Sequence, residues 1–181
     1  ILTFSRHSDE QAKLPIDPKL VVKEVLKLIR STVPATIEIA QEITDRDGRL
    51  VGDVSQRHQV IMNLCTNAVH AMGSGPGRLS VSLTESDLST AEATAWGVEP
   101  GTYWRFGVAD TGEGIPPDVV DRVFEPFFTT KELGEGTGLG LAVVHGIVTD
   151  HGGVVRVESR PGEGTQFQVL LPLTALDQAA D

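Results

Sequence analysis

What this chain has little of narrows its function first. Its 181 residues include a single cysteine, Cys65, so no internal disulfide can form. Cys65 lies in an apolar helical pattern and is expected to pack in the core rather than do redox work. Positive charge is also scarce: 15 Lys and Arg against 25 Asp and Glu give a formal net charge of −10. A nucleic-acid binder needs a basic face, so nucleic acid is not expected among the partners. A phosphorylated small ligand stays open, because such sites use local backbone amides rather than global charge. No apolar run approaches the roughly 18 residues of a membrane span, and no signal peptide opens the chain. The expected compartment is the cytoplasm, and any membrane anchor would belong to a larger parent. The first residue is Ile1 rather than Met, which reads as a piece of something longer. Internal repeats and low-complexity segments are absent from the sequence.

What is there is ordinary globular material, 40% hydrophobic and 22% charged, of a length that suits one domain with a short appendage. Residues 1–15 read as the end of an incoming helix and a linker, 16–173 as the domain, and 174–181 as a frayed tail. Asp17-Pro18 starts a helix, with Val21, Val22, Val25, Leu28 and Ile29 at helical spacing. Residues 36–43 alternate as a strand, and Leu50-Val51 is a short one. Asp53-x-x-Gln56 resembles a capping box opening a helix over 54–72. Leu79, Val81 and Leu83 mark another strand. The polar stretch 84–101 joins it to a strand over 103–109 as a long, ragged hairpin. A short helix is expected over 117–124, a mobile loop over 129–138, a third long helix over 139–150, and closing strands over 154–159 and 165–171. Strands and helices do not alternate strictly, which favours α+β with helices on one face of a mixed sheet and argues against a doubly wound Rossmann arrangement.

Three segments carry chemistry. In HQVIMNLCTNAVHAM (58–72), Ile61, Leu64, Cys65, Ala68 and Met72 form one stripe, with Gln59, Asn63, Asn67 and His70 opposite. A merely solvated face would more often carry Glu, Lys or Arg, and Asn is a mediocre helix former. Asn offers an oxygen to a hard cation and an amide donor to phosphate. In GEGTGLGLAVV (134–144), glycines run straight into an apolar helix. The alternatives are a flexible loop and an anion cradle of backbone amides. The pattern is neither a Walker A loop nor a dinucleotide fingerprint. In DTGEGIPP (110–117), Asp110 shares the strand face of Trp104, Phe106 and Val108. A carboxylate there is costly unless hydrogen-bonded. It is either a turn former or a reader of a ligand N–H such as adenine's amine. Thr165 begins a strand on the face of Phe167, Val169 and Leu171, where its hydroxyl could meet Asp110.

In this order, with VFEPFFTTK (123–131) and the closing GEGTQF (162–167), the segments resemble the catalytic, ATP-binding domain of bacterial sensor histidine kinases. That domain is a Bergerat-fold ATPase module of the kind also seen in gyrase-type topoisomerases, Hsp90 and MutL. The resemblance covers about 16–173. It implies a two-layer α/β sandwich with a mixed, mostly antiparallel sheet and three helices on one face. It implies ATP and Mg²⁺ as cofactors, and transfer of the γ-phosphoryl group to a histidine outside this chain. By the same resemblance Asp110 would accept from adenine N6, and Gly112, Gly114 and Ile115 would line the base pocket with help from Thr165. Asn67 would hold Mg²⁺ with Asn63 in support. Gly136, Thr137, Gly138, Leu139 and Gly140 would cradle phosphates under a lid of residues 129–137. Phe124, Phe127 and Phe128 would link that lid to the substrate helix, and Thr129 and Lys131 would reach the nucleotide, Lys131 at its terminal phosphate. The catalytic set would be Asn63, Asn67 and Lys131.

Gyrase-type members carry a water-activating glutamate where this chain has Asn63, and an amide cannot act as a general base. That favours transfer to a protein acceptor over hydrolysis. His70 stands where many members have Lys, which would make a phosphate contact there pH-sensitive. No His-Glu-x-x-x-Pro acceptor pattern is present, and His7, His58, His145 and His151 are not expected to be phosphorylated. The implied partners are the dimerisation and phosphoacceptor domain and a response-regulator receiver domain. The parent is expected to be a homodimer and this piece a monomer. A serine-directed kinase of the anti-sigma-factor type and a non-catalytic nucleotide-binding scaffold remain as competing readings.

Overall fold

The computed structural model describes residues 14–45, 50–129 and 137–173. A short strand β1 (Leu14–Ile16) leads into helix α1 (Pro18–Thr32). Strands β2 (Ile37–Ile43) and β3 (Leu50–Gly52) follow, then helix α2 (Val54–Met72). Strand β4 (Gly77–Leu88), helix α3 (Thr90–Trp96) and strand β5 (Gly101–Asp110) come next. After a 3₁₀ turn (Val120–Arg122), helix α4 (Gly140–Asp150) and strands β6 (Val154–Arg160) and β7 (Gly164–Pro172) complete the described elements. The main sheet has the order β2-β4-β5-β7-β6. Only the β2–β4 pair is parallel. β1 and β3 form a small antiparallel pair of their own.

Period-two patterning decides which side of the sheet is covered. Leu79, Val81 and Leu83 of β4, Trp104, Phe106 and Val108 of β5, and Phe167, Val169 and Leu171 of β7 are buried in one cluster with residues of α1, α2 and α4. This is the α+β sandwich expected, with those three helices on one face. Helix α2 contributes Leu64 and Cys65 at full burial. Truncating a leucine so placed costs about 2–5 kcal/mol. Burial also pushes the Cys65 thiol up to about 12, so it stays protonated and inert.

Local signals set the helix ends. Asp17 accepts from the Lys19 N–H at 2.9 Å with Pro18 at the first turn. α1 buries Leu26 and leaves Leu28 about half exposed. The two leucines lie on opposite borders of the Val22–Val25–Ile29 stripe, and the helix is rolled toward Leu26. Asp53 caps α2 alone, accepting from the Ser55 N–H at 2.7 Å. The reciprocal capping box occurs instead at α3, between Ser89 and Glu92.

α3 falls in the stretch read from sequence as a plain hairpin connection. β4 and β5 do pair antiparallel, and α3 fills their junction. It buries Ala93 against Leu88, Tyr103 and Leu170 on the other face of the sheet. There Trp96 lies beneath the guanidinium groups of Arg156, 4.4 Å from the ring centre, and Arg105, 5.6 Å away. The Ser89-x-x-Glu92 spacing and Gly97, left-handed at φ 71°, were the available signals. The helix expected over 117–124 is reduced to the 3₁₀ turn, because Pro116 and Pro117 precede it and no apolar periodicity sustains it.

Candidate functional site

A cavity of about 570 Å³ opens between α2, the end of β5, the start of α4 and the start of β7. Its wall from α2 consists of Asn63, Thr66, Asn67, Ala68, His70 and Ala71. These follow the i, i+3, i+4 ridge that the amide spacing predicted. Asn63 donates from Nδ2 to the Gly140 carbonyl oxygen at 3.1 Å, tying α2 to the first residue of α4. Asn67 makes no side-chain hydrogen bond among the described residues and is half-buried against the same space. Gln59, expected on this face, is exposed and outside the cavity.

The floor comes from the sheet. Asp110 ends β5 and pairs in register with Thr165 of β7. Both are buried, Asp110 at 7% and Thr165 at 6% exposure. Asp110 Oδ1 accepts the Gly112 N–H at 2.8 Å. Desolvation raises the Asp110 pKa above the ordinary aspartate range. The backbone amides of Gly112 and Thr165 oppose that rise, while the nearby charge of Glu113 adds to it. The result is a buried acceptor facing an open space. Gly112 does not line the cavity but is the residue that lets the loop lie flat on α2. A Cβ there would meet the Ala71 carbonyl oxygen at 2.5 Å, and the Glu113 N–H donates to that same oxygen at 3.1 Å. Gly114 and Ile115 reach the cavity wall directly.

The opposite rim is built by 123–129 and 137–141. Phe128 and Thr129 line it, together with Thr137, Gly138 and Gly140. Gly138 is left-handed, φ 65°, and a Cβ on it would lie 2.5 Å from the Phe127 carbonyl carbon, so only glycine fits. The contact is reciprocated: the Phe127 N–H donates to the Gly138 oxygen at 2.9 Å. Phe127 itself has φ 65° and is 75% exposed. Arg122 stacks 4.6 Å over the Phe128 ring while its Nε meets Glu125 at 3.2 Å. Phe124 packs edge-on against Phe167 and tilts over His145. α4 has no side-chain cap, so its first-turn amides stay open to an anion. Leu139 is exposed and does not line the cavity. Lys131 and Gly136 lie outside the described residues.

The structure therefore gathers Asn63, Asn67, His70, Asp110, Gly114, Ile115, Phe128, Thr129, Thr137, Gly138, Gly140 and Thr165 around one space. Sequence reasoning missed Thr66, Ala68, Ala71, Glu113, Pro116, Val123, Leu141 and Phe167 as lining residues. Phe167 was legible, two residues after Thr165 on the same strand face. Leu141, in the first turn of α4, and Val123, just after the 3₁₀ turn, line the cavity because of how those two segments pack, which no local period reports.

Residues 52–175 match the family described as histidine kinase-, DNA gyrase B- and HSP90-like ATPase, and the chain belongs to that family. Its relatives narrow the kind. It is 35% identical over 184 residues to the sensor kinase CckA of Brucella abortus (strain 2308), across 100% of this chain and 19% of that protein. A mycobacterial sensor histidine kinase, MprB, superposes with a TM-score of 0.71 at 29% identity, covering 88% of this chain and 97% of that one. Full-length ShkA, in complex with AMPPNP, superposes at 0.70 and 28% identity over 89% of this chain and 31% of its own. The domain is thus of the sensor histidine kinase type, and it spans about a fifth of the length of CckA. Among the described residues no helix is long and apolar enough to cross a membrane.

Proposed function

We propose that the cavity binds ATP with Mg²⁺ and supports transfer of its γ-phosphoryl group to a histidine on a dimerisation and phosphoacceptor domain outside this chain, from which a receiver domain would take it. Asp110 accepts from the adenine amine on the floor. The open amides of α4 and the Gly138–Gly140 backbone take the phosphates. The observation that carries this reading is the separation of charges. Among the described lining residues the carboxylates, Asp110 and Glu113, both sit at the β5 end, while the α2–α4 end offers amides. At that end Asn63, bonded to Gly140, stands where a hydrolytic enzyme would need a base. The complex of ShkA with AMPPNP supports the same reading.

Mg²⁺ fits this donor set. No cluster of three or more His, Cys, Asp or Glu exists among the described residues, and Asn67 offers one uncommitted amide oxygen. Mg²⁺ characteristically takes few protein ligands and completes its shell with phosphates and water. Bound there, it would neutralise phosphate charge as the histidine nitrogen bonds to the γ-phosphorus and the bond to the β-phosphate oxygen breaks. The protein's own share is orientation: Asn63 holds α4 in place, and Asp110 fixes the base. Lys131 would add charge at the terminal phosphate.

Calorimetry with ADP and ATP, with and without Mg²⁺, tests binding; no heat at millimolar nucleotide would sink the proposal. Transfer in trans to a separately made acceptor hairpin, read as acid-labile phosphate, tests the chemistry. Acid-stable phosphoserine would instead favour the anti-sigma-factor type of kinase. Full ATP binding without transfer would favour a scaffold.

A further inference from the structure

Ser159 does not line the cavity, yet it holds groups that do. It stands on β6 directly opposite Thr165 on β7, which in turn stands opposite Asp110 on β5. Three polar side chains thus form a row across three adjacent strands in an otherwise apolar layer. Ser159 Oγ accepts the Ile115 N–H at 2.7 Å. It donates to the Gly164 carbonyl oxygen at 3.0 Å and lies 2.8 Å from Thr165 Oγ1.

A serine hydroxyl has one proton and two lone pairs. The Gly164 carbonyl can only accept, so its bond uses the proton. The lone pairs then take the Ile115 N–H and the Thr165 O–H, and every group is matched. The Thr165 proton is thereby turned toward Ser159, leaving lone pairs toward the cavity. Next to them is the Asp110 carboxylate. The floor presents two acceptors side by side.

We infer that Ser159 is a positioning residue that holds the Thr165 hydroxyl as an acceptor, and that the Ser159–Thr165–Asp110 row selects purines with an amine rather than a carbonyl at position six. This rests on the nucleotide reading of the cavity. An exocyclic amine has two N–H donors and can serve both acceptors. A 6-oxo group faces them with lone pairs only and leaves buried acceptors unpaired. Without Ser159 the Thr165 proton is released and can turn into the cavity to meet a 6-oxo group.

The test is calorimetric titration of the whole chain with ADP and with inosine 5′-diphosphate, Mg²⁺ held constant. The parent is expected to prefer ADP. Ser159→Ala should shrink that preference by about five- to tenfold, the value of one buried hydrogen bond. Ser159→Thr, which keeps the hydroxyl, should restore it to within about twofold. In a Thr165→Val background, Ser159→Ala should change the preference by less than about twofold, since no hydroxyl remains to be directed. Unchanged preference in Ser159→Ala would overturn the inference, as would an equal loss in the Thr165→Val background. If Ser159→Ala fails to fold by circular dichroism, Ser159→Cys keeps the volume without strong hydrogen bonding and must show the same loss. A parent that binds ADP alongside an unresponsive Ser159 variant removes only this inference. A parent that binds neither nucleotide removes the nucleotide reading itself.

Discussion

The two ends of the cavity are built differently. At the β5–β7 end Asp110 and Thr165 sit on strands, are more than nine-tenths buried and are already hydrogen-bonded: Asp110 to Gly112, and Thr165 to Ser159. At the α2–α4 end they sit on a helix face and a glycine-bearing turn. There Asn67 is half-buried with no side-chain partner among the described residues, and α4 is uncapped. Strands cross-linked by side chains hold geometry before a ligand arrives, whereas open amides wait for an anion. The base end is therefore preorganised and should carry specificity, and the phosphate end should respond to Mg²⁺ and charge.

The largest expected effect breaks the base end. Asp110→Asn should weaken ADP binding by about 100-fold, because it turns an acceptor facing the amine partly into a donor and removes a charge-assisted bond. Circular dichroism should stay unchanged. An affinity within twofold of the parent would reduce Asp110 to a turn former. Next, Asn67→Ala should lower Mg²⁺-ATP affinity by about tenfold while leaving metal-free ADP nearly untouched. An equal loss for both ligands would erase the division of labour between the two ends.

A smaller effect concerns pH. Burial raises the Asp110 pKa above its unfolded value, so the folded state binds the proton more tightly. The parent's stability should fall as pH rises through the interval from the ordinary aspartate value upward, and be recovered below it. Measured against Asp110→Asn, the parent should therefore gain stability as pH drops from about 7 to 4. Denaturant melts at both pH values check the sign, and the opposite trend would show that the amides of Gly112 and Thr165 outweigh desolvation. The smallest effect is at the rim. Arg122→Ala removes an exposed pair with Glu125 and the stack on Phe128, and should cost about twofold in ATP affinity. A loss above tenfold would show that the rim is as preorganised as the floor.

Much of this was legible residue by residue. α2 runs over 54–72 as its periodicity indicated, and its amide ridge does face the cavity. The parity of Trp104, Phe106 and Val108 put Asp110 on the buried face, where the structure has it. α3 was lost inside a polar stretch, because a helix of seven residues with one buried alanine leaves almost no apolar period, although its cap signals were present. Ser159 was missed for another reason. In VESRPG it reads as an ordinary polar residue before a turn.

What the sequence alone determined here is what depends on near neighbours: the caps at Asp17 and Asp53, the stripes of α1 and α2, and the face on which each strand residue falls. These follow from periods of 3.6 and 2 and from side chains bonding backbone a few residues away. Only the tertiary structure decided which strands lie side by side and in what register. That pairing set β2 parallel to β4 and aligned Ser159, Thr165 and Asp110 in one row. A strand's period names its face but not its partner, and a row of polar groups exists only once segments about fifty residues apart are paired.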